Sequence, residues 1–264
     1  MTAFRVGLAV ALGVTLTFLV VPVLSIFLEA GPGELLASLG DPSARDALRL
    51  SLQTTLAAVA IIVVVGTPAA YALATRRFRG RALVVTLIEL PLVLPPAAAG
   101  IALLASLGPN GLLGGAIEAT GARLVLETAG VIVALTFVAS PFYLRQAQAA
   151  FEALDPSWLD ASRTLGAGEA RTFARVAVPA AAPGLLAGLA LAWGRALGEF
   201  GATLMFAGSL RGVTQTVPLT IYERFSTDFT GALALSAVLV VVSAALLLSV
   251  KLLAGSPALG GARA

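Results

Sequence analysis

At 264 residues, 58% of them apolar and only 12% charged, the chain is too hydrophobic for a water-soluble globule, in which about a quarter of residues carry charge. With no Cys and no His, it excludes disulfides, thiolate or imidazole metal sites, and any catalysis that relies on either side chain. Its one Lys, Lys251, leaves no place for a phosphate-cradling GxxxxGK[ST] loop, so any use of ATP requires another subunit.

Apolar runs of the ~20 residues needed to cross about 30 Å of hydrocarbon define the elements in chain order. The first, 6–28, is longer than the apolar core of a secretory signal and no small-residue cleavage site follows it, so it is expected to be a retained span. Gly31-Pro32-Gly33 then marks a turn. A second span is expected over 50–74 and a third over 82–107, the third carrying Glu89 with Pro91, Pro95 and Pro96 close behind. Those prolines predict a bend or break, and Glu89 is placed to accept hydrogen bonds from the backbone groups they free. Gly108-Pro109-Asn110-Gly111 marks the next turn, and further spans are expected over 128–147, 176–207 and 232–253. The expectation is an all-α integral membrane protein, about six transmembrane helices in a single membrane domain over 1–264.

An even number of spans puts both termini on one side, and Lys and Arg choose the side, because short cytoplasmic segments carry them in excess. With the N-terminus inside, eleven fall on inner segments: Arg5, Arg76, Arg77, Arg79, Arg81, Arg145, Arg163, Arg171, Arg175, Lys251 and Arg263. Five fall outside, Arg45, Arg49, Arg123, Arg211 and Arg224, together with most of the acids. Both termini are therefore expected in the cytoplasm. The net charge of +3 is spread among apolar spans rather than along one stripe, which speaks for membrane topology and against nucleic-acid binding.

The longest inner connection, 152–179, reads as two short helices. Ser157 and Asp160 suit a capping box, Gly166 and Gly168 suit a helix end, and Glu169 opens a second helix that runs into the fifth span. Here the chain resembles the permease subunits of ABC importers, whose cytoplasmic loop has the form EAA, three residues, Gly, nine residues, Ile-x-Leu-Pro. Asp160-Ala161-Ser162, Gly166 and Val176-Ala177-Val178-Pro179 match that spacing, with Asp for Glu, Ser for Ala, and Val for Ile and Leu. The resemblance implies a type I permease fold with a coupling helix, and it assigns contact with the ATPase to Asp160, Ala161, Ser162, Gly166 and Pro179. An amphipathic loop lying on the membrane surface is the plainer alternative.

In the fifth span Arg195 and Glu199 stand four residues apart, where a continuous helix brings them onto one face and lets them pair. That pair serves either as a structural bridge or in a gate, and Gly194, Gly198, Gly201 and Ala202 make a small-residue surface for close packing. The stretch GRALGEFGATLMFAG with TQTVPLTIYE is similar to the molybdate and tungstate branch of these permeases, and close to the sulfate branch. What that resemblance implies is an importer for a tetrahedral oxyanion in the cell membrane. Its partners would be ABC ATPase subunits, an extracytoplasmic oxyanion-binding protein, a second copy of this chain and the lipid bilayer. It implies no cofactor, no metal and no catalysis on this subunit. Arg195, Glu199, Thr203 and Glu89 become candidates for the pathway and its gate, with Glu89 also suited to the dimer contact. Thr203, Thr214, Gln215 and Thr216 are available donors. A sulfate or thiosulfate permease is the alternative within the class. An ion-coupled secondary transporter or a membrane enzyme finds less support, since no internal repeat and no acid–base or nucleophile constellation is visible.

Overall fold

The computed structural model describes residues 2–253, which leaves Arg263 of the inner group outside the described residues. Those residues form thirteen α-helices and one π-turn, with no strand among them. The first is α1 (Thr2–Glu29), followed by the short α2 (Pro32–Gly40) and by α3 (Pro42–Thr75). The 34 residues of α3 rise about 51 Å, well beyond the hydrocarbon thickness, so its first turns, with Arg45 and Arg49, extend past the span expected from 50 onward. Asp41 starts it by accepting from Ser43 N at 2.9 Å, with Pro42 at the first helical position, where no N–H is needed.

The third span is divided into α4 (Arg81–Val93) and α5 (Pro96–Leu107), whose axes turn by 118°. The turn has a local cause. Pro95 forces Leu94 into extended backbone, and Pro96 opens a new helix at its first position. Beyond α6 (Gly114–Ala119), the long α7 (Thr128–Glu152) returns alongside both halves. Its C-terminal Glu152 meets Arg81 at the start of α4 at 2.6 Å, while Leu107 at the end of α5 packs near Leu124, just ahead of α7. Five unbroken helices are long and apolar enough to span, and the bent pair, counted as one span, brings the candidates to six.

After α7 come α8 (Pro156–Thr164), α9 (Glu169–Thr172), the π-turn Phe173–Ala177 and α10 (Val178–Leu197), then α11 (Gly201–Ala207), α12 (Val217–Phe225) and α13 (Phe229–Leu253). The fifth span differs from the continuous 176–207 run. It begins as helix at Glu169, ends at Leu197, and resumes only at Gly201.

The core lies between α3, α7 and α10, where Ala58, Ala70, Ala139, Ala147, Ala181, Ala192 and Ala196 let backbones approach closely around Leu135 and Tyr143. In lipid such packing, rather than expulsion of water, drives helix association. Polar bonds tie the same helices: Thr67 Oγ1 and Tyr143 Oη stand 2.6 Å apart, and Trp193 Nε1 donates to Thr55 Oγ1 at 3.1 Å. At the far end from α8, Arg224 of α12 pairs with Asp41, and at 3.8 Å with Asp228, fastening the starts of α3 and α13. By contrast α1 exposes apolar side chains along its whole length and leans on α13.

Candidate functional site

The connection 153–168 is built as a capped helix and a defined turn, largely exposed. Asp155 caps α8 by accepting from Ser157 N at 2.9 Å, and that bond holds its carboxyl below the usual carboxylate range. The cap therefore sits two residues earlier than the Ser157–Asp160 box. Asp160 turns instead to Arg163, whose Nη1 lies 3.0 Å from Oδ1, while Arg163 Nε donates to Glu169 Oε1 at 3.0 Å. These two carboxylates raise the Arg163 pKa further, Glu169 contributing first.

Gly166 ends the helix in the left-handed region, at φ +81°, where a side chain is strained. Gly166 N donates to Arg163 O at 2.9 Å and Ala167 N to Ser162 O at 3.1 Å, the two bonds of a Schellman motif. Ser162 and Thr172 hydroxyls meet at 3.0 Å and fold α8 back on α9. Ala161 is exposed and Ser162 half-buried, and the exposed side of the loop also carries Trp158 and Leu165, the latter 87% exposed.

Pro179 has a structural consequence just below. With no N–H, and with a ring that would press on the carbonyl four residues back, it disturbs the ladder at Arg175. The ladder is widened there: Val178 N reaches Phe173 O, five residues back, and closes the π-turn. Phe173 in that turn packs at a tilt against Tyr71 with ring centroids 5.0 Å apart, and Tyr71 meets Phe151 at 5.3 Å edge-on. The loop is thus seated on the ends of α3 and α7.

In the fifth span, Glu199 lies in the break rather than on a helix. Its Oε2 is 2.6 Å from Arg195 Nη2, on the last turn of α10, and its Oε1 accepts from Ala202 N at 2.7 Å, in the first turn of α11. The side chain is 1% exposed. One carboxylate therefore joins two half-helices, neutralising the Arg and satisfying an otherwise orphaned donor. The broken third span packs against this point. A Cβ on Gly100 would stand 2.6 Å from Met205 Cβ, and one on Gly201 2.8 Å from Pro96 Cβ, so α5 and α11 approach only because both positions are glycine.

Thr203 in α11 is fully buried, and its hydroxyl has no partner among the described residues; the same holds for Thr216. Thr214 accepts from Leu210 N at 2.8 Å, and Gln215 donates to Glu223, so both are used in shaping the segment before α12. The structure brings Arg195, Glu199 and Thr203 together across one break. Glu89 has a different partner, Arg145 of α7, at 3.3 Å, rather than backbone freed by the prolines. Arg145 itself lies within α7, not on an inner connection. Its presence inside the fourth apolar run was the available signal for that pairing, and Asp155-Pro156 was the signal for the true cap.

The family described as "Binding-protein-dependent transport system inner membrane component" matches residues 66–256. The chain is 41% identical over 235 residues to the molybdenum transport system permease protein ModB of Mycobacterium tuberculosis, covering 89% of each. It is 35% identical over 235 residues to the probable transport system permease protein NifC of Clostridium pasteurianum, covering 89% of this chain and 82% of that one. To the sulfate transport system permease protein CysW of Synechocystis it is 34% identical over 243 residues, covering 89% and 88%. Among solved structures, a chain of a bacterial ABC transporter that imports alginate superposes with a TM-score of 0.75 at 16% identity, covering 96% of this chain and 94% of that one. At that identity the likeness concerns the fold.

Proposed function

Because this chain belongs to the family of binding-protein-dependent transport-system inner membrane components, we propose that it is the permease subunit of an ATP-driven importer for a tetrahedral oxyanion, molybdate or tungstate. The observation that carries the reading is α8: a capped helix of nine residues, closed by Gly166 and presented on the loop that matches the EAA spacing. The anion follows from the 41% identity with a molybdenum permease. The 34% identity with a sulfate permease supports the second reading, sulfate or thiosulfate.

In this reading the whole chain is one membrane domain with both termini in the cytoplasm, and α8 docks on a separate ATPase subunit. Asp160, Ala161, Ser162 and Gly166 form the contact, Trp158 and Leu165 add apolar area, and Pro179 sets the π-turn through which α8 pushes on α10. Two copies enclose the path, and an extracytoplasmic binding protein delivers the anion. Arg195 and Glu199 hold the break between α10 and α11 as part of the gate, with Thr203 buried behind it, and Glu89 borders the path. ATP is hydrolysed on the partner, and this subunit contributes movement only.

The test is uptake into vesicles bearing the chain with its ATPase and binding protein, with molybdate, tungstate, sulfate and thiosulfate in competition. ATP-dependent molybdate uptake, suppressed by tungstate more strongly than by sulfate, is expected. Suppression led by sulfate selects the second reading, and uptake that needs an ion gradient but no ATP overturns both.

A further inference from the structure

We propose that Arg145, tempered by Glu89, is a weak oxyanion contact on the wall of a water-filled vestibule opening at the α8 end of the molecule; the inference rests on the oxyanion-permease reading above. Arg145 stands seven residues before the end of α7 at Glu152, about 10 Å inward along the helix. Its side chain is 63% exposed and that of Glu89 36%. A charge left this exposed on a membrane helix is costly against hydrocarbon, even when paired, and acceptable against water. An Arg this close to a helix end ordinarily extends toward the interface, whereas this one turns to a carboxylate on α4. The exposed face of the pair therefore meets water.

A polar stripe leads to it from the helix end. Arg145, Gln148, Ala149 and Glu152 follow one another at helical spacing on one side of α7. Gln148 Nε2 donates to Glu152 Oε1 at 2.9 Å, and the same oxygen receives Arg81 Nη2 at 2.6 Å from the first residue of α4. No residue of α4 is buried, so the seam between α4 and α7 shows these groups on its open side. The exposed length of α1, in contrast, carries no charge between Arg5 and Glu29.

The chemistry suits a tetrahedral dianion. Arg145 Nε lies 3.3 Å from a Glu89 carboxylate oxygen, and a guanidinium carries five N–H donors in a planar fork, more than that one contact uses, so donors remain for oxyanion oxygens. Glu89 lowers the local potential, so the anion is attracted but not retained, as a conducting path requires.

Two measurements on the complete importer test this. Arg145→Gln is expected to slow ATP-driven molybdate uptake about tenfold, with Arg145→Lys recovering most of the rate; an unchanged rate in Arg145→Gln overturns the proposal. The chain has no Cys, so single substitutions report their surroundings cleanly. Ala149→Cys is expected to react with a charged, membrane-impermeant thiol reagent added from the α8 side, while Val14→Cys on α1 resists it. Equal labelling of the two overturns the vestibule. Absence of any molybdate, tungstate or sulfate uptake by the wild type would defeat the oxyanion reading instead, and the thiol labelling reads the vestibule independently of it.

Discussion

Glu199 decides what the fifth span is. At 1% exposure it is a carboxylate almost fully removed from lipid and water, and it is acceptable there because Arg195 supplies charge and Ala202 N a hydrogen bond. Truncation to Ala removes both and leaves a guanidinium beside an uncapped half-helix. Glu199→Ala is expected to destabilise the protein by about 3 kcal/mol, the usual consequence of leaving a buried partner unpaired. Glu199→Gln keeps an acceptor for Ala202 N and loses only the counter-charge, so its melting temperature in detergent should fall between those of wild type and Glu199→Ala. Equal melting of all three would show that the pair contributes nothing to the break. The spacing of Arg195 and Glu199 in the sequence fits an unbroken helix as well as the observed geometry. Only the packing of α5 against α11, through Gly100 and Gly201, selects the break, and that contact joins residues a hundred positions apart.

At the scale of elements, α8 depends on its two ends. Asp155 titrates below the ordinary carboxylate range because Ser157 N–H favours its charged form. A depressed folded-state pKa contributes stability that is present above the unfolded value and lost as pH falls through the folded one. The start of α8 is therefore expected to hold at neutral pH and to fray only under acid conditions, whereas Asp155→Ala frays it at every pH. Amide exchange at Ser157 and Trp158, followed by mass spectrometry, should be several-fold faster in that variant at pH 7, and equal to wild type once the medium is acidic enough to protonate Asp155. At the other end, Gly166→Ala forces a Cβ into φ +81°, at a cost of about 1 kcal/mol, and should lower ATPase association without affecting membrane insertion. The loop's two short helices are legible in the sequence, because its glycines and the Glu169 start divide it at the observed place. Its construction was less so: Ser157–Asp160 satisfies a capping-box pattern, but Pro156 suits the first helical position and leaves Asp155 as cap. The π-turn, too, has no local signature beyond Pro179, whose effect falls on residues before it.

For the molecule as a whole, hydropathy was enough to read a membrane-spanning bundle, because apolar runs of that length have few other destinations. Sidedness depends on the cations, and the fold redistributes them. Arg145 lies inside α7, which leaves Arg5, Arg76, Arg77, Arg79, Arg81, Arg163, Arg171 and Arg175 toward the α8 end, against Arg45, Arg49, Arg123, Arg211 and Arg224 toward the other. Of the latter, Arg224 is neutralised by Asp41 and Asp228, whereas Arg76, Arg77 and Arg79 cluster in the single turn between α3 and α4. Cations gathered in short connections are those that resist crossing the membrane. On that bias α8 is expected on the cytoplasmic face. A phosphatase reporter active only outside the cytoplasm should therefore be active when joined after Asn110, beyond α5, and silent when joined after Ser157 or at the C-terminal end. The reverse pattern would put α8 on the face where no ATP is available, and a helix capped at Asp155, closed at Gly166 and seated on Tyr71, Phe151 and Phe173 would then have no motor to receive.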